Sequence, residues 1–127
     1  MAPVPAGNHH PAPYRDEHLA VDFERQAAVL DGTLMALTRK EYDLLALLVK
    51  HAGEIIPREA LLMQVWGYGG EIRTRTLDVH VRRLRKKLGG YADQYIETIF
   101  GIGYRFQPFR IIRPRQESAQ DPVAGVA

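Results

Sequence analysis

The sequence predicts an α+β domain in which a small N-terminal antiparallel sheet is followed by three helices and closed by a C-terminal β-hairpin. Three observations carry that prediction. Short, partly alternating apolar segments fill residues 19 to 37, leucine recurs at helical intervals in three stretches between residues 39 and 88, and two β-rich arms flank a Phe100-Gly101 corner.

At 127 residues, with 46% apolar and 25% charged side chains, the chain suits one core of about a hundred residues. Residues 1 to 17 are rich in Pro, Ala, Gly and His without apolar periodicity, so a flexible leader or linker is expected there. Residues 113 to 127 also lack a periodic pattern and are expected to be a disordered tail, which leaves residues 18 to 112 as the folded unit. His9 and His10 read as part of a solvated tail rather than as a metal site.

Each element has its own signal. LAVDFE (19–24), QAAVLD (26–31) and TLMAL (33–37) read as strands, with Asp31-Gly32 as a tight-turn pair between the last two. Thr38 precedes Glu41 at capping-box spacing, and EYDLLALLVKHAG repeats leucine as a helix would until His51 and Gly53 end it, giving a helix over about 39 to 51. Pro57 suits the first turn of a second helix, in which Leu61, Leu62, Val65 and Trp66 share one side before Gly67. The connection YGGEIR leads to a third helix over about 74 to 88, closed by Gly89-Gly90. Arms over 95 to 99 and 102 to 107 complete a hairpin, and no internal repeat is present. Strands, a helical trio and a hairpin in that order describe a winged helix-turn-helix.

Charge is unevenly placed. The segment from Ile72 to Leu88 holds seven Lys or Arg against one acid, Asp78, for a local charge of +6; the rest of the chain has ten cations against fourteen acids, a net of −4. Such a segment is either a solvated helix face or a surface for a polyanion. At about 100° per residue, Leu77, Val81, Leu84 and Leu88 share a stripe roughly 60° wide, the width of a face docked on a core. Arg75, Val79, Arg82, Arg83 and Lys86 point the opposite way, giving a cationic strip with a small apolar residue at its centre. A DNA major groove accepts one helix and offers guanine O6 and N7 to arginine forks and thymine methyls to a valine. Lys87 and the other flanking cations can meet phosphates, as can Arg73 from the preceding connection. Thr76 and His80 stand at the shoulder as phosphate donors, although His80 is equally read as a surface histidine without a role. Asp78 is expected to pair with an arginine such as Arg82 four residues on, or else to be only a solubility charge. Trp66 reads first as a core side chain, with an indole N–H that can also meet a phosphate.

Other classes find little support. Without cysteine there is no disulfide, thiolate metal site or catalytic thiol, and a reducing cytoplasmic setting is expected. No apolar run approaches the roughly 18 residues that span a bilayer, no signal-peptide segment is present, and nothing calls for a cofactor, a metal or a membrane. HExxH and GxSxG patterns are absent, and the GxG of GIGYRF lies in a hairpin rather than before a helix, so no enzyme is expected. The alternative kept open is a winged helix that docks its basic helix on an acidic protein. RNA is disfavoured because no aromatic stacking platform stands out.

The succession LTRKEYDLLALLVKHAGEIIPREALLMQVWG, RTRTLDVHVRRLRKKL and ETIFGIGYRF resembles the OmpR/PhoB-type effector domain of bacterial two-component response regulators, over about residues 18 to 107. That resemblance implies a four-stranded N-terminal sheet, a recognition helix in the third helix and a wing in the hairpin. It implies transcription regulation through promoter direct repeats, bound as a head-to-tail homodimer. By similarity Arg75, Thr76, His80, Arg82 and Arg83 match DNA-contacting positions, Trp66 and Thr98 match further backbone contacts, and loop 67–72 matches a segment associated with RNA polymerase. Two departures stand out. Phe100 occupies the wing tip, where relatives commonly place an arginine that enters the minor groove; it can pack within the hairpin, or on sugars or a base step. A receiver domain has no counterpart in this sequence: the Pro-rich start resembles a linker, as in a fragment, and the initial Met also permits a stand-alone regulator.

Overall fold

A computed structural model describes residues 12 to 67 and 74 to 110. The first eleven residues, the connection from 68 to 73 with Arg73, and the residues from 111 onward lie outside that description, and so do the expectations that fall on them.

The N-terminal sheet is an antiparallel meander in the order β1 (Tyr14–Arg15), β2 (Leu19–Asp22), β3 (Ala27–Leu30) and β4 (Thr33–Leu34). Leu30 pairs with Thr33, so Asp31 and Gly32 form a two-residue hairpin loop, and both take positive φ as a primed turn demands. The strands are shorter than the sequence suggests, and β1 corrects the expected boundary at residue 18. Tyr14 and Arg15 pair with Val21 and Ala20. Asp16 fastens this end. Its carboxylate accepts from the backbone N–H groups of His18 and Leu19, from that of Phe109 (3.2 Å), and from the hydroxyls of Tyr14 and Tyr95. Burial raises the pKa of the Tyr95 hydroxyl, and its bond to Asp16 adds to the effect.

Helix α1 (Arg39–Lys50) starts with the expected capping box: Glu41 N–H donates to Thr38 Oγ1 (3.2 Å) and Thr38 N–H donates back to Glu41 Oε1 (2.9 Å). Pro57 is not inside the second helix. It ends a short strand, β5 (Ile55–Pro57), and caps α2 (Arg58–Trp66) from an extended conformation. Helix α3 (Thr74–Leu88) has the predicted bounds, and after it the chain adds a 3-10 turn (Gly89–Tyr91) and a one-turn α4 (Ala92–Tyr95) that the sequence did not announce. Strands β6 (Ile96–Ile99) and β7 (Gly103–Phe106) form the hairpin, and β5 pairs with β7, so the wing is a three-stranded sheet ordered β5-β7-β6.

One core joins these layers. Leu19 and Val21 of β2, Leu44, Leu45 and Leu48 of α1, Leu61 of α2, the α3 stripe, Tyr95, Ile96 and Phe106 are all buried. The apolar area removed from water there is what holds α3 in place, since a helix this basic has little reason to dock otherwise. Among the described residues no helix is long and apolar enough to cross a membrane.

Candidate nucleic-acid interface

Helix α3 has two chemically distinct sides, as its spacing predicts. Leu77, Val81, Leu84 and Leu88 are at most 1% exposed and face α1, α2 and the rest of the core. Arg75, Arg82, Arg83 and Lys86 are exposed on the far side, with Val79 half-buried between them. None of these four cations is hydrogen-bonded or ion-paired to a described residue. Arg75, Val79 and Arg82 line an open depression together with Asp78.

Three fastenings beyond the core fix how this strip is presented. The first joins α3 to α1 through Lys87, whose Nζ donates to Glu41 Oε1 (2.6 Å) and to the carbonyl of Ala36 (2.7 Å). Burial alone would raise the Glu41 pKa; the bond from Lys87, the Thr38 backbone N–H and the lysine charge outweigh it and hold the carboxyl below its ordinary value. The second joins α3 to α2 and the wing through Asp78, which accepts from Arg58 Nη2 (2.9 Å) and from the Tyr104 hydroxyl (2.9 Å). The Arg58 bond is the main reason that Asp78 titrates below its ordinary value. The third is Arg85, which donates to the carbonyl of Ile96 (2.8 Å) and to Thr98 Oγ1 (2.7 Å) and lies over the Tyr104 ring at 5.8 Å.

Two sequence expectations are corrected by this geometry. Asp78 has an arginine partner, but it is Arg58 rather than Arg82: Arg58 and Tyr104 converge on its carboxylate from neighbouring elements and leave the Arg82 guanidinium in the exposed strip. Lys87, expected to meet phosphate, has its ammonium engaged within the protein by a carboxylate that is itself 1% exposed. Arg85, counted in the +6 segment, likewise turns its guanidinium onto groups of the protein, here neutral ones. Arg58, Tyr104 and Arg85 were not singled out by sequence reasoning as parts of this site, and only their distant partners reveal that role.

The shoulder residues come together as well. His80 Nδ1 lies 2.8 Å from the Thr76 carbonyl oxygen, which can only accept, so Nδ1 carries the proton and Nε2 is the nitrogen left over. The His80 ring meets Trp66 edge to face, with centroids 4.9 Å apart, and Trp66 packs half-buried against the core. Thr98 accepts from Arg85 through its oxygen, which keeps its own hydroxyl hydrogen for another acceptor. Phe100 is not packed within the hairpin: it is 88% exposed.

A family model described as "Transcriptional regulatory protein, C terminal" matches residues 32–106. The transcriptional regulatory protein ResD of Bacillus subtilis is 42% identical over 93 residues, an alignment covering 71% of this chain and 39% of ResD. The chain thus spans about two fifths of the length of the curated relatives it matches. Among solved structures, the response regulator DrrB, an OmpR/PhoB homologue from Thermotoga maritima, superposes with a TM-score of 0.69 at 31% identity, covering 75% of this chain and 44% of that one. The DNA-binding domain of Klebsiella pneumoniae RstA, solved in complex with the RstA box, gives a TM-score of 0.67 at 33% identity and covers 76% of this chain and 98% of that one. With the family model matching residues 32–106 and the fold superposing on an OmpR/PhoB homologue, the chain belongs to the family of OmpR/PhoB-type C-terminal domains of transcriptional regulatory proteins.

Proposed function

We propose that the chain is a sequence-specific double-stranded DNA-binding domain, the output unit of a two-component response regulator in the cytoplasm, and that α3 lies in the major groove. The observation that carries this reading is the pairing of a fully buried leucine and valine stripe with an exposed strip of Arg75, Arg82, Arg83 and Lys86 around Val79. Arginines on that strip are placed to fork onto guanine edges and Val79 to touch a thymine methyl, while Lys86 answers phosphate. Thr98, Thr76 and Trp66 flank the strip at positions suited to backbone oxygens, and His80 stands with them at the same shoulder. The DNA complex of the RstA domain supports the same use of this fold. Binding of promoter direct repeats as a homodimer, and contact with RNA polymerase through loop 67–72, extend the proposal to the whole regulator. No catalysis and no cofactor are part of it.

Fluorescence-anisotropy titration of the chain with a duplex selected from a random pool, repeated across salt concentrations, tests this. Each phosphate neutralised contributes about −0.9 to the slope of log K against log salt, so a slope of about −3 or steeper is expected. A flat salt response, or no complex in dilute buffer, would instead favour an acidic protein as the partner of this helix.

A further inference from the structure

We propose that the wing tip is an apolar wedge, with Phe100 entering the minor groove beside the α3 site and opening a flexible base step there. The inference rests on the DNA-binding reading above and adds a contact of a different chemical kind to it.

The tip is a four-residue turn closed by the Ile102 N–H to the Ile99 carbonyl (2.9 Å), with Gly101 at φ 79°. A polar pair would serve such a turn equally well, yet Phe100 is 88% exposed and Ile102 is 50% exposed on either side of the glycine. A phenylalanine is among the most favourable side chains to remove from water, and the hairpin leaves nearly all of it there. What covers it is argued from continuity with the cationic strip. Thr98, two residues before Phe100, is tied to α3 by Arg85, and Tyr104, its cross-strand neighbour, is tied to α3 by Asp78. With the α2 backbone also holding the turn, through Arg58 N–H to the Ile102 carbonyl (3.0 Å), the tip is carried rigidly beside the reading helix. Neighbouring grooves of a duplex lie about 17 Å apart, half of a helical turn, and a hairpin packed against one side of a helix of about 10 Å diameter, extended by two residues at roughly 3.3 Å each, covers that span. An aromatic side chain delivered to a minor groove unstacks a pyrimidine–purine step, the kind that opens at least cost.

The test uses the full chain, a selected duplex bearing 2-aminopurine at a TA or CA step next to the selected site, and a matched duplex with that step replaced by an A-tract. The native chain is expected to brighten 2-aminopurine and to prefer the flexible step. Phe100→Ala, which should melt like the native chain because the side chain packs on nothing, is expected to bind about tenfold more weakly, to lose both the brightening and the preference, and to keep the native salt slope. Phe100→Arg is expected to steepen that slope by about 0.9 without restoring the brightening. If Phe100→Ala binds both duplexes as the native chain does, the wedge is overturned while the major-groove reading stands. If the native chain binds neither duplex, both fall together. Loss of cooperativity between two half-sites, with single-site affinity and brightening unchanged, would overturn the wedge in favour of a contact between protein copies.

Discussion

Replacing Lys87 with methionine separates a structural cation from a DNA-binding one. The ammonium makes two short bonds, to Glu41 and to the Ala36 carbonyl, while the Glu41 side chain is 2% exposed. Methionine keeps most of the apolar stem and removes the charge. A hydrogen bond to a charged group contributes about 1.5–3 kcal/mol, and stranding a fully buried carboxylate costs about 3–5 kcal/mol. The Lys87 side chain is 35% exposed, so water reaches the vacated position and partly solvates Glu41, which keeps its bond from Thr38. The loss is therefore expected near the lower end, at about 2–3 kcal/mol, or a Tm lowered by about 10–20 °C for a domain of this size. Because Glu41 titrates below its ordinary value, its contribution is present above the pKa of an unfolded glutamate and disappears as pH falls through the folded value. The stability gap between the two proteins should accordingly narrow below about pH 4. Urea denaturation from pH 3 to pH 7 measures this, and duplex titration should return an unchanged salt slope for Lys87→Met. Stability within about 0.5 kcal/mol of native, together with a slope shallower by about 0.9, would refute the reasoning and return Lys87 to the phosphate contacts.

Other changes probe the rest of the arrangement. Arg83→Ala should lose about 1–3 kcal/mol on the selected duplex and relax its sequence preference; equal losses on selected and random duplexes would remove Arg83 from base reading. Leu84→Ala should destabilise the fold by about 2–5 kcal/mol in urea, and an unchanged midpoint would contradict the phase of α3. At Gly103, an added Cβ would sit 2.0 Å from the Ile56 carbonyl oxygen, so Gly103→Ala should break the β5–β7 pairing and cost at least about 3 kcal/mol, whereas a native-like melt would deny that close approach.

The parts of this molecule that were legible in its sequence are those with a local cause. Leu77, Val81, Leu84 and Leu88 announce the buried side of α3 because the helical period alone brings them together, and Thr38 with Glu41 announces the start of α1 because a capping box spans only four residues. What escaped has a cause far away in the chain. Strand β5 is three residues long, ends in a proline and exists because Ile55 to Pro57 find Arg105 to Gly103. Tyr14 and Arg15, within a proline-rich start, become a strand only against β2. Asp78 has Arg82 one helical turn ahead, and nothing in the spacing says that Arg58 and Tyr104 reach it first. Lys87 and Arg85 lie roughly a quarter turn off the centre of the cationic strip, where helical arithmetic cannot tell a phosphate from Glu41 or the wing.

The central claim is that the arginine side of α3 occupies a major groove. Guanine N7 atoms lie in that groove, and their methylation by dimethyl sulfate on a selected duplex, with and without the chain, tests the claim most directly. Protection of guanine N7 within the site, lost at individual guanines in Arg82→Ala or Arg83→Ala, is the predicted result. A tight, salt-dependent complex that leaves every N7 as reactive as in free DNA would contradict it.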